Sequence, residues 1–153
     1  MFTPFYRKGC LQATPPRFPI AKPENTSWVS DEKCLSLDDL QLLPKFSWDE
    51  SLVNNWQIGE AGAHQRFNSF LEDGLVNYKK GRDFPAINGV SRLSPHIHFG
   101  EISVHHIWHQ VQDLEADHNT EHFCSELGWR EFSYSQLYYN PTLPTENLQK
   151  KFD

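Results

Sequence analysis

The sequence lacks the features that would place the protein in a membrane or outside the cell. Its 153 residues contain no apolar run near the ~20 residues that a membrane-spanning helix needs. Residues 1–10 lack the apolar core of a secretory signal peptide. We therefore expect neither insertion in a membrane nor secretion through a cleaved signal, and the simplest location is the cytoplasm.

Cysteine is scarce as well. The three cysteines, Cys10, Cys34 and Cys124, are odd in number and far apart, and no CxxC or Cys/His finger spacing occurs. A disulfide framework and a structural zinc site are therefore poorly supported. The histidines give no better metal signal, because no HExxH arrangement or third ligand accompanies them. We expect no metal site, and we interpret the clustered histidines as surface or capping residues: His96, His98, His105 and His109.

Excess positive charge is also missing, since the formal net charge is −6. This excludes a surface that is basic all over, but it leaves room for a local basic patch. Hydrophobic residues make up 38% of the chain and charged residues 22%, which is the usage of a globular domain. Aromatic residues reach 14%, which indicates stacking surfaces or a pocket lined by rings.

The two ends of the chain differ in organisation. Prolines are scattered through residues 1–55, which predicts an extended connector with at most a short helical turn at 36–43. Weak alternation at 1–6 leaves a short strand open there. Apolar periodicity then predicts an all-α second half, with helices over 63–71, 104–111 and 120–139. Gly74 is placed to end the first of these, and Ser103 to cap the second.

One loop has the composition of an anion site. Ser94 followed by Pro95 predicts a helix with a hydroxyl N-cap and proline in its first turn, and Ser91 and Arg92 precede it. Free N–H groups at a helix start, with hydroxyls and a guanidinium nearby, can hold a phosphate or a pyrophosphate. The alternative is an ordinary Ser-Pro cap beside a solvated arginine.

A second group lies on one face of the last predicted helix. Glu126, Trp129, Arg130 and Ser133 follow i, i+3, i+4, i+7 spacing. A carboxylate, an indole and a guanidinium on one stripe can stack on and hydrogen-bond a flat polar ligand such as a nucleobase. The alternative is a tryptophan in a core seam beside a Glu–Arg pair. Gly128 in mid-helix indicates a close contact that needs its small size.

The order and text of these motifs resemble the FAD-binding domain of the photolyase/cryptochrome family. The matching segments are GRDFP at 81–85, SRLSPHIHFGEIS at 91–103 and SELGWREF at 125–132. The resemblance covers nearly the whole chain. It implies a mainly α fold, with 1–55 as the end of an α/β antenna domain plus linker and 56–153 as the N-terminal half of a helical domain. Both ends look cut, so we expect a fragment of a longer protein.

The resemblance implies a set of FAD-binding residues. Val90 stands where the family usually has threonine, so a hydroxyl is lost, and Phe123 stands where it often has tryptophan. The residues that would bind FAD are Tyr78, Val90, Ser91, Arg92, Leu93, Ser94 and Phe123.

The resemblance also implies contacts with DNA. Glu126 and Trp129 match the residues that line the pocket for a flipped-out pyrimidine dimer, and Arg82 matches a residue on the DNA backbone. We expect Arg130 and Ser133 on the same face to bind DNA too. A pyrimidine carbonyl only accepts hydrogen bonds, so Glu126 must either be protonated and donate or meet a pyrimidine N–H instead, and our hypothesis is the protonated acid.

The function implied is that of a microbial deoxyribodipyrimidine photolyase, in which light and FAD split cyclobutane pyrimidine dimers in DNA. An antenna chromophore of the folate or deazaflavin type is expected only in a full-length parent, and the family is mostly monomeric. Two alternatives stay open: a cryptochrome photoreceptor without repair activity, and an inactive truncated remnant. The presence of both Glu126 and Trp129 favours repair.

Overall fold

A computed structural model describes residues 1–27, 29 and 34–152, and the chain in these residues is helical with no β-strand. No helix among them has the length and apolar character to cross a membrane. The α-helices are α1 (Phe2–Pro4), α2 (Glu50–Val53), α3 (Glu60–Ser69), α4 (Tyr78–Gly81), α5 (Ser94–His98), α6 (Val104–Gln112) and α7 (His118–Tyr139). Wider π-helical turns span Phe5–Leu11 and Phe70–Gly74, and 3₁₀ turns span Asp38–Leu40, Leu75–Asn77 and Lys150–Phe152.

The long helix α7 is the element on which the others assemble. Helices α4 and α6 and the turn Phe5–Leu11 all pack against it. It begins at His118, two residues before the predicted start, because Asp117 and Thr120 form a capping box: the Asp117 carboxylate accepts from the backbone N–H groups of Asn119 and Thr120. The predicted end at Tyr139 is confirmed.

The N-terminal segment is helical, so the strand left open at 1–6 is wrong. Its helical turns place Tyr6 directly over Gly128 of α7. A Cβ atom at Gly128 would lie 2.3 Å from the Tyr6 ring, which explains why glycine occupies the middle of this helix. Burial in this contact raises the pKa of Tyr6 to about 12.

Helix α3 does not end as the sequence indicated. At Gly74 the backbone stays right-handed, with φ −77°, and the chain continues into the next turn. A Cβ atom there would lie 2.6 Å from the Phe70 ring. Gly74 therefore serves a close approach within the turn and not a left-handed helix stop.

Helix α6 follows the prediction closely. It spans Val104–Gln112, and the Ser103 hydroxyl accepts from the backbone N–H of His105 as an N-cap. Ile107 and Val111 of this helix are fully buried together with Phe67 and Leu93, so the core lies between α3, α5, α6 and α7.

The connector is extended and anchored to the helical body at one point. Its described residues between 12 and 37 form no helix, and the predicted short turn is present as Asp38–Leu40. The Phe18 ring stacks on His109 at 4.0 Å, and His109 Nε2 donates to the Pro16 carbonyl at 2.9 Å. Trp28 and 30–33 of the predicted connector lie outside the described residues, and the boundary at residue 55 stays a prediction.

Candidate functional site

The loop 90–94 has the exposed donors that the sequence indicated but a different helix start. Helix α5 begins at Ser94 itself, with Leu93 at the N-cap, so Ser94 does not cap the helix. The Ser91 hydroxyl instead accepts from the Leu93 backbone N–H at 3.4 Å. The Leu93 side chain is only 2% exposed and belongs to the core, so any ligand contact it makes comes from its backbone.

Arg92 is the special residue of this loop. Its φ of 53° is left-handed, a conformation that costs a non-glycine residue on the order of 1 kcal/mol. Its side chain is exposed, and in the described part of the chain it pairs with no carboxylate. Such a guanidinium, with the Ser91 and Ser94 hydroxyls, is free to meet an anion.

A buried histidine fixes the helix that follows this loop. His96 is 2% exposed, so its interpretation as a surface or capping histidine is wrong. Its Nδ1 lies 2.5 Å from a Glu101 carboxylate oxygen, and this hydrogen bond lowers the pKa of Glu101. Within the described residues, no group of three or more His, Cys, Asp or Glu side chains is arranged to hold a metal ion.

Tyr78 and Phe123 lie in an aromatic core between the loop and α7. They are 7% and 4% exposed and meet edge to face, with ring centroids 5.2 Å apart. Both also contact Phe70, whose ring helps to line a cavity of about 40 Å³ that Val90 and Ser91 border as well. Tyr78 and Phe123 thus lie in the same buried cluster as Leu93 of the loop, and their contact with a cofactor stays a prediction.

The polar centre of the site lies between α4 and α7. Arg82, the residue that follows α4, forms a salt bridge with Glu126 of α7, and the Arg82 Nη1 atom lies 3.2 Å from His122 Nε2. The hydrogen bond to Glu126 raises the pKa of Arg82. The sequence analysis missed His122, although its position four residues before Glu126 on the same helix face could have identified it.

In the structure Glu126 is the acceptor of a hydrogen bond, and its protonated, donating state at a pyrimidine stays a prediction. The carboxylate accepts a hydrogen bond from the Arg82 guanidinium, a group that can only donate. The Arg82 guanidinium also lies 5.7 Å from the Tyr78 ring centroid, and burial raises the pKa of that phenol. The structure thus joins Glu126 and Arg82 in one ion pair, and the roles of both residues toward DNA stay predictions.

Trp129 has one face covered and remains 43% exposed. Phe2 stacks on the indole with ring centroids 3.7 Å apart and planes 9° apart, and Phe132 meets it edge on at 5.7 Å. This contact could not be predicted from the sequence, since Phe2 lies 127 positions away in the chain. The stack fixes the indole from one side.

Arg130 and Ser133, the two remaining residues of the predicted DNA-binding face, have local partners. Arg130 pairs with Glu131, and its guanidinium lies 4.6 Å from the Tyr134 ring centroid. The Ser133 hydroxyl donates to the Trp129 carbonyl at 2.9 Å. Neither is directed at the Arg82–Glu126 pair, so the structure divides the predicted stripe into two parts.

Comparisons with known proteins identify relatives of the chain. No protein-family model matches the chain. A deoxyribodipyrimidine photo-lyase from Agrobacterium fabrum is 35% identical over 100% of this chain and 33% of its own length. Cryptochrome-2 of Arabidopsis thaliana is 30% identical over 86% of this chain and 24% of its own length. The chain thus spans a third or less of these curated relatives.

The fold is shared as well. The crystal structure of a bacterial class III photolyase from Agrobacterium tumefaciens matches all of this chain and 33% of its own, with a TM-score of 0.91 at 35% identity. The helical architecture is that of a flavoprotein's FAD-binding domain. The chain belongs to the photolyase/cryptochrome family.

Proposed function

We propose that this chain supplies the phosphate-binding loop and the lesion-facing helix of a deoxyribodipyrimidine photolyase, which uses light to split cyclobutane pyrimidine dimers in DNA. The observation that carries the proposal is the pairing of Arg82 with Glu126 on α7, one turn from a half-exposed Trp129. FAD as the flavin, dimer-containing DNA as the partner, a monomeric state and a cytoplasmic location are parts of the same proposal.

The residues present fit a flavin nucleotide. An unpaired Arg92 and two loop hydroxyls match the charge and donor set that a pyrophosphate requires. Tyr78 and Phe123 share one buried cluster with Leu93 of this loop, so their role is to support the loop more than to stack on the flavin. When bound, excited reduced FAD supplies an electron to the dimer and recovers it after the ring opens.

The chain's own contribution is binding and orientation. The uncovered side of Trp129 offers a stacking surface for an extrahelical base, and Glu126 lies at its edge to meet polar groups of the ring. Lys79 and Lys80 are exposed beside Arg82 on α4, which makes a local basic patch on an acidic chain. Binding through this patch weakens as salt rises, because phosphate contacts release counterions.

Two measurements test the proposal. The purified chain is expected to carry a flavin, seen by its visible absorption, and to repair a thymine dimer in an oligonucleotide only under light. Arg92→Ala should lose flavin, whereas Arg17→Ala, which removes an exposed arginine of the connector, should keep it. Flavin without repair would favour the cryptochrome alternative, and a chain that binds neither flavin nor dimer DNA would contradict the proposal.

A further inference from the structure

Three ionisable side chains meet at the junction of α4 and α7. Arg82, Glu126 and His122 are 30%, 31% and 35% exposed, so each is partly shielded from water. The Glu126 oxygen that accepts from Arg82 also lies 3.9 Å from His122 Nε2. Two groups that can be cations thus share one carboxylate oxygen.

The geometry fixes which atom of His122 carries the proton. A guanidinium has no acceptor, so the contact of 3.2 Å between Arg82 Nη1 and His122 Nε2 requires Nε2 to accept. The imidazole is therefore neutral while Arg82 is in place, with its proton on Nδ1. Protonation of Nε2 would set two cations side by side and would break this hydrogen bond.

Arg82 has two possible partners that compete for its guanidinium. The proposed function, on which this inference rests, requires its guanidinium at a DNA phosphate, yet in the structure it is held by Glu126. If Arg82 left, the partly buried carboxylate of Glu126 would lose its cation, and such a group is costly to leave unpaired. His122 Nε2 is less than 1 Å beyond hydrogen-bond distance of the same oxygen.

We propose that His122 is the exchange partner of Glu126. When Arg82 moves to a DNA phosphate, His122 takes up one proton from solvent at Nε2 and replaces the guanidinium beside the carboxylate. Binding of DNA is thereby coupled to proton uptake, and His122 acts as a positioning residue that keeps Glu126 paired at the edge of Trp129. Histidine suits this role because it is the side chain that changes charge between about pH 5 and 8.

The other groups facing His122 do not supply this proton. From α4, Tyr78 lies 6.0 Å away between ring centroids, and burial raises the pKa of that phenol, so it stays neutral in this pH range. The cations Lys79 and Lys80 of α4 have exposed side chains. On α7 itself Glu126 lies 3.9 Å from His122 Nε2, and His118, one turn before His122, faces Glu121 instead.

The sign of the effect follows from linkage. If the complex binds one more proton than the free protein, DNA affinity rises as pH falls, by up to about tenfold per pH unit, over the range in which free His122 is neutral. The dependence disappears at lower pH, where His122 is protonated in both states.

The test is the affinity for a duplex that carries one thymine dimer, measured by fluorescence anisotropy from about pH 6 to 8.5 at constant ionic strength. The unaltered chain should show close to one order of magnitude in the dissociation constant over its steepest pH unit. His122→Gln, whose amide oxygen can still accept from Arg82, should flatten this dependence, and so should Glu126→Gln. His118→Gln, which removes a histidine that is 86% exposed in the first turn of α7, should leave it unchanged.

The outcomes separate the two proposals. Preferential binding of dimer DNA with a pH slope that His122→Gln removes supports both of them. The same binding with an unchanged slope in His122→Gln leaves the photolyase function standing and overturns the exchange role of His122. No preference for dimer DNA over undamaged duplex at any pH would overturn the proposed function, and the exchange role with it.

Discussion

At the scale of single residues, the surroundings of Glu126 and Arg92 are the most informative about the chemistry of the candidate site. Glu126 accepts from Arg82 and lies one turn from the half-exposed Trp129, so an ion pair and an indole lie near one another on the same helix. Arg92 is held in a left-handed conformation with its side chain in solvent. Strained residues of this kind persist where the surrounding structure fixes them, and they cluster at functional loops.

Replacement of Glu126 should distinguish the contribution of its hydrogen bond to repair from the contribution of its charge. We expect Glu126→Gln to keep much of the light-driven repair, because an amide oxygen can still accept from a pyrimidine N–H as the carboxylate does, and Glu126→Ala to lose about tenfold more through the missing hydrogen bond. The measurement is the quantum yield of dimer splitting. Equal losses in the two variants would show that the side chain contributes only its charge.

Replacement of Arg92 should raise stability while it lowers cofactor binding. Arg92→Gly relieves the strain of the left-handed backbone, which is worth up to ~1 kcal/mol. Part of this gain is offset by the chain entropy that glycine adds to the unfolded state. The substitution also removes the guanidinium. Gln41, with φ 49° in an exposed turn, is a matched control. Gln41→Gly should stabilise the chain by a similar amount in urea unfolding and leave flavin retention unchanged. Loss of flavin in both variants would contradict a specific role for Arg92.

At the scale of elements, the packing of the N-terminal turn on α7 depends on Gly128. A Cβ atom there would overlap the Tyr6 ring, at 2.3 Å. Gly128→Ala should therefore destabilise the chain by about 1–3 kcal/mol, even though alanine is the better helix former by ~1 kcal/mol. Urea unfolding measures the difference.

Gly9 gives the control for this substitution. It also lies in a helical turn, but its nearest atom to an added Cβ, in the Phe5 ring, is 4.0 Å away. Gly9→Ala should be neutral or stabilising. If both substitutions stabilised the chain, the contact between Tyr6 and α7 would be absent in solution.

The helices show which parts of the fold local sequence determines. Apolar periodicity located α6 and α7, and the Ser103 cap is formed as predicted, because these signals depend on neighbours within one turn. The helical state of 1–11 was not predicted, since it depends on the contact of Tyr6 with Gly128, a residue far away in the chain. Ser94 and Gly74 carry common cap signals that tertiary packing overrides.

The candidate site likewise combines features that local sequence predicts with contacts that it does not predict. The stripe of Glu126 and Trp129 followed from helical spacing, and the assignment of the loop to a flavin followed from family resemblance. The partners of Glu126 and Trp129 could not be predicted, because Arg82 and Phe2 belong to other parts of the chain and a single sequence does not show such pairings. His122 illustrates this difference. Its spacing from Glu126 was visible in the sequence, but its role became apparent only when the structure placed Arg82 beside it.

At the scale of the whole molecule, a pair of histidines joins α3 to α6. The rings of His64 and His106 lie 4.9 Å apart, and His106 also contacts the buried Phe67. Burial, and to a lesser degree the neighbouring His64, hold the pKa of His106 below its ordinary value of 6.5. The two helices therefore pack around an imidazole that is kept neutral.

This pair predicts how the stability of the chain depends on pH. Between the lowered pKa of His106 in the folded state and its ordinary value in the unfolded chain, the unfolded state binds more protons, so stability rises with pH. The stabilisation is lost as pH falls below about 6.5 and levels off once His106 is protonated in both states. Thermal unfolding in steps from about pH 7.5 to 5 should show a falling Tm that His106→Gln makes less steep. His98→Gln, at an exposed position of α5, should keep the full slope. An equal slope in His106→Gln would mean that acid sensitivity comes from elsewhere in the chain, and that the contact between α3 and α6 tolerates a charge at its centre.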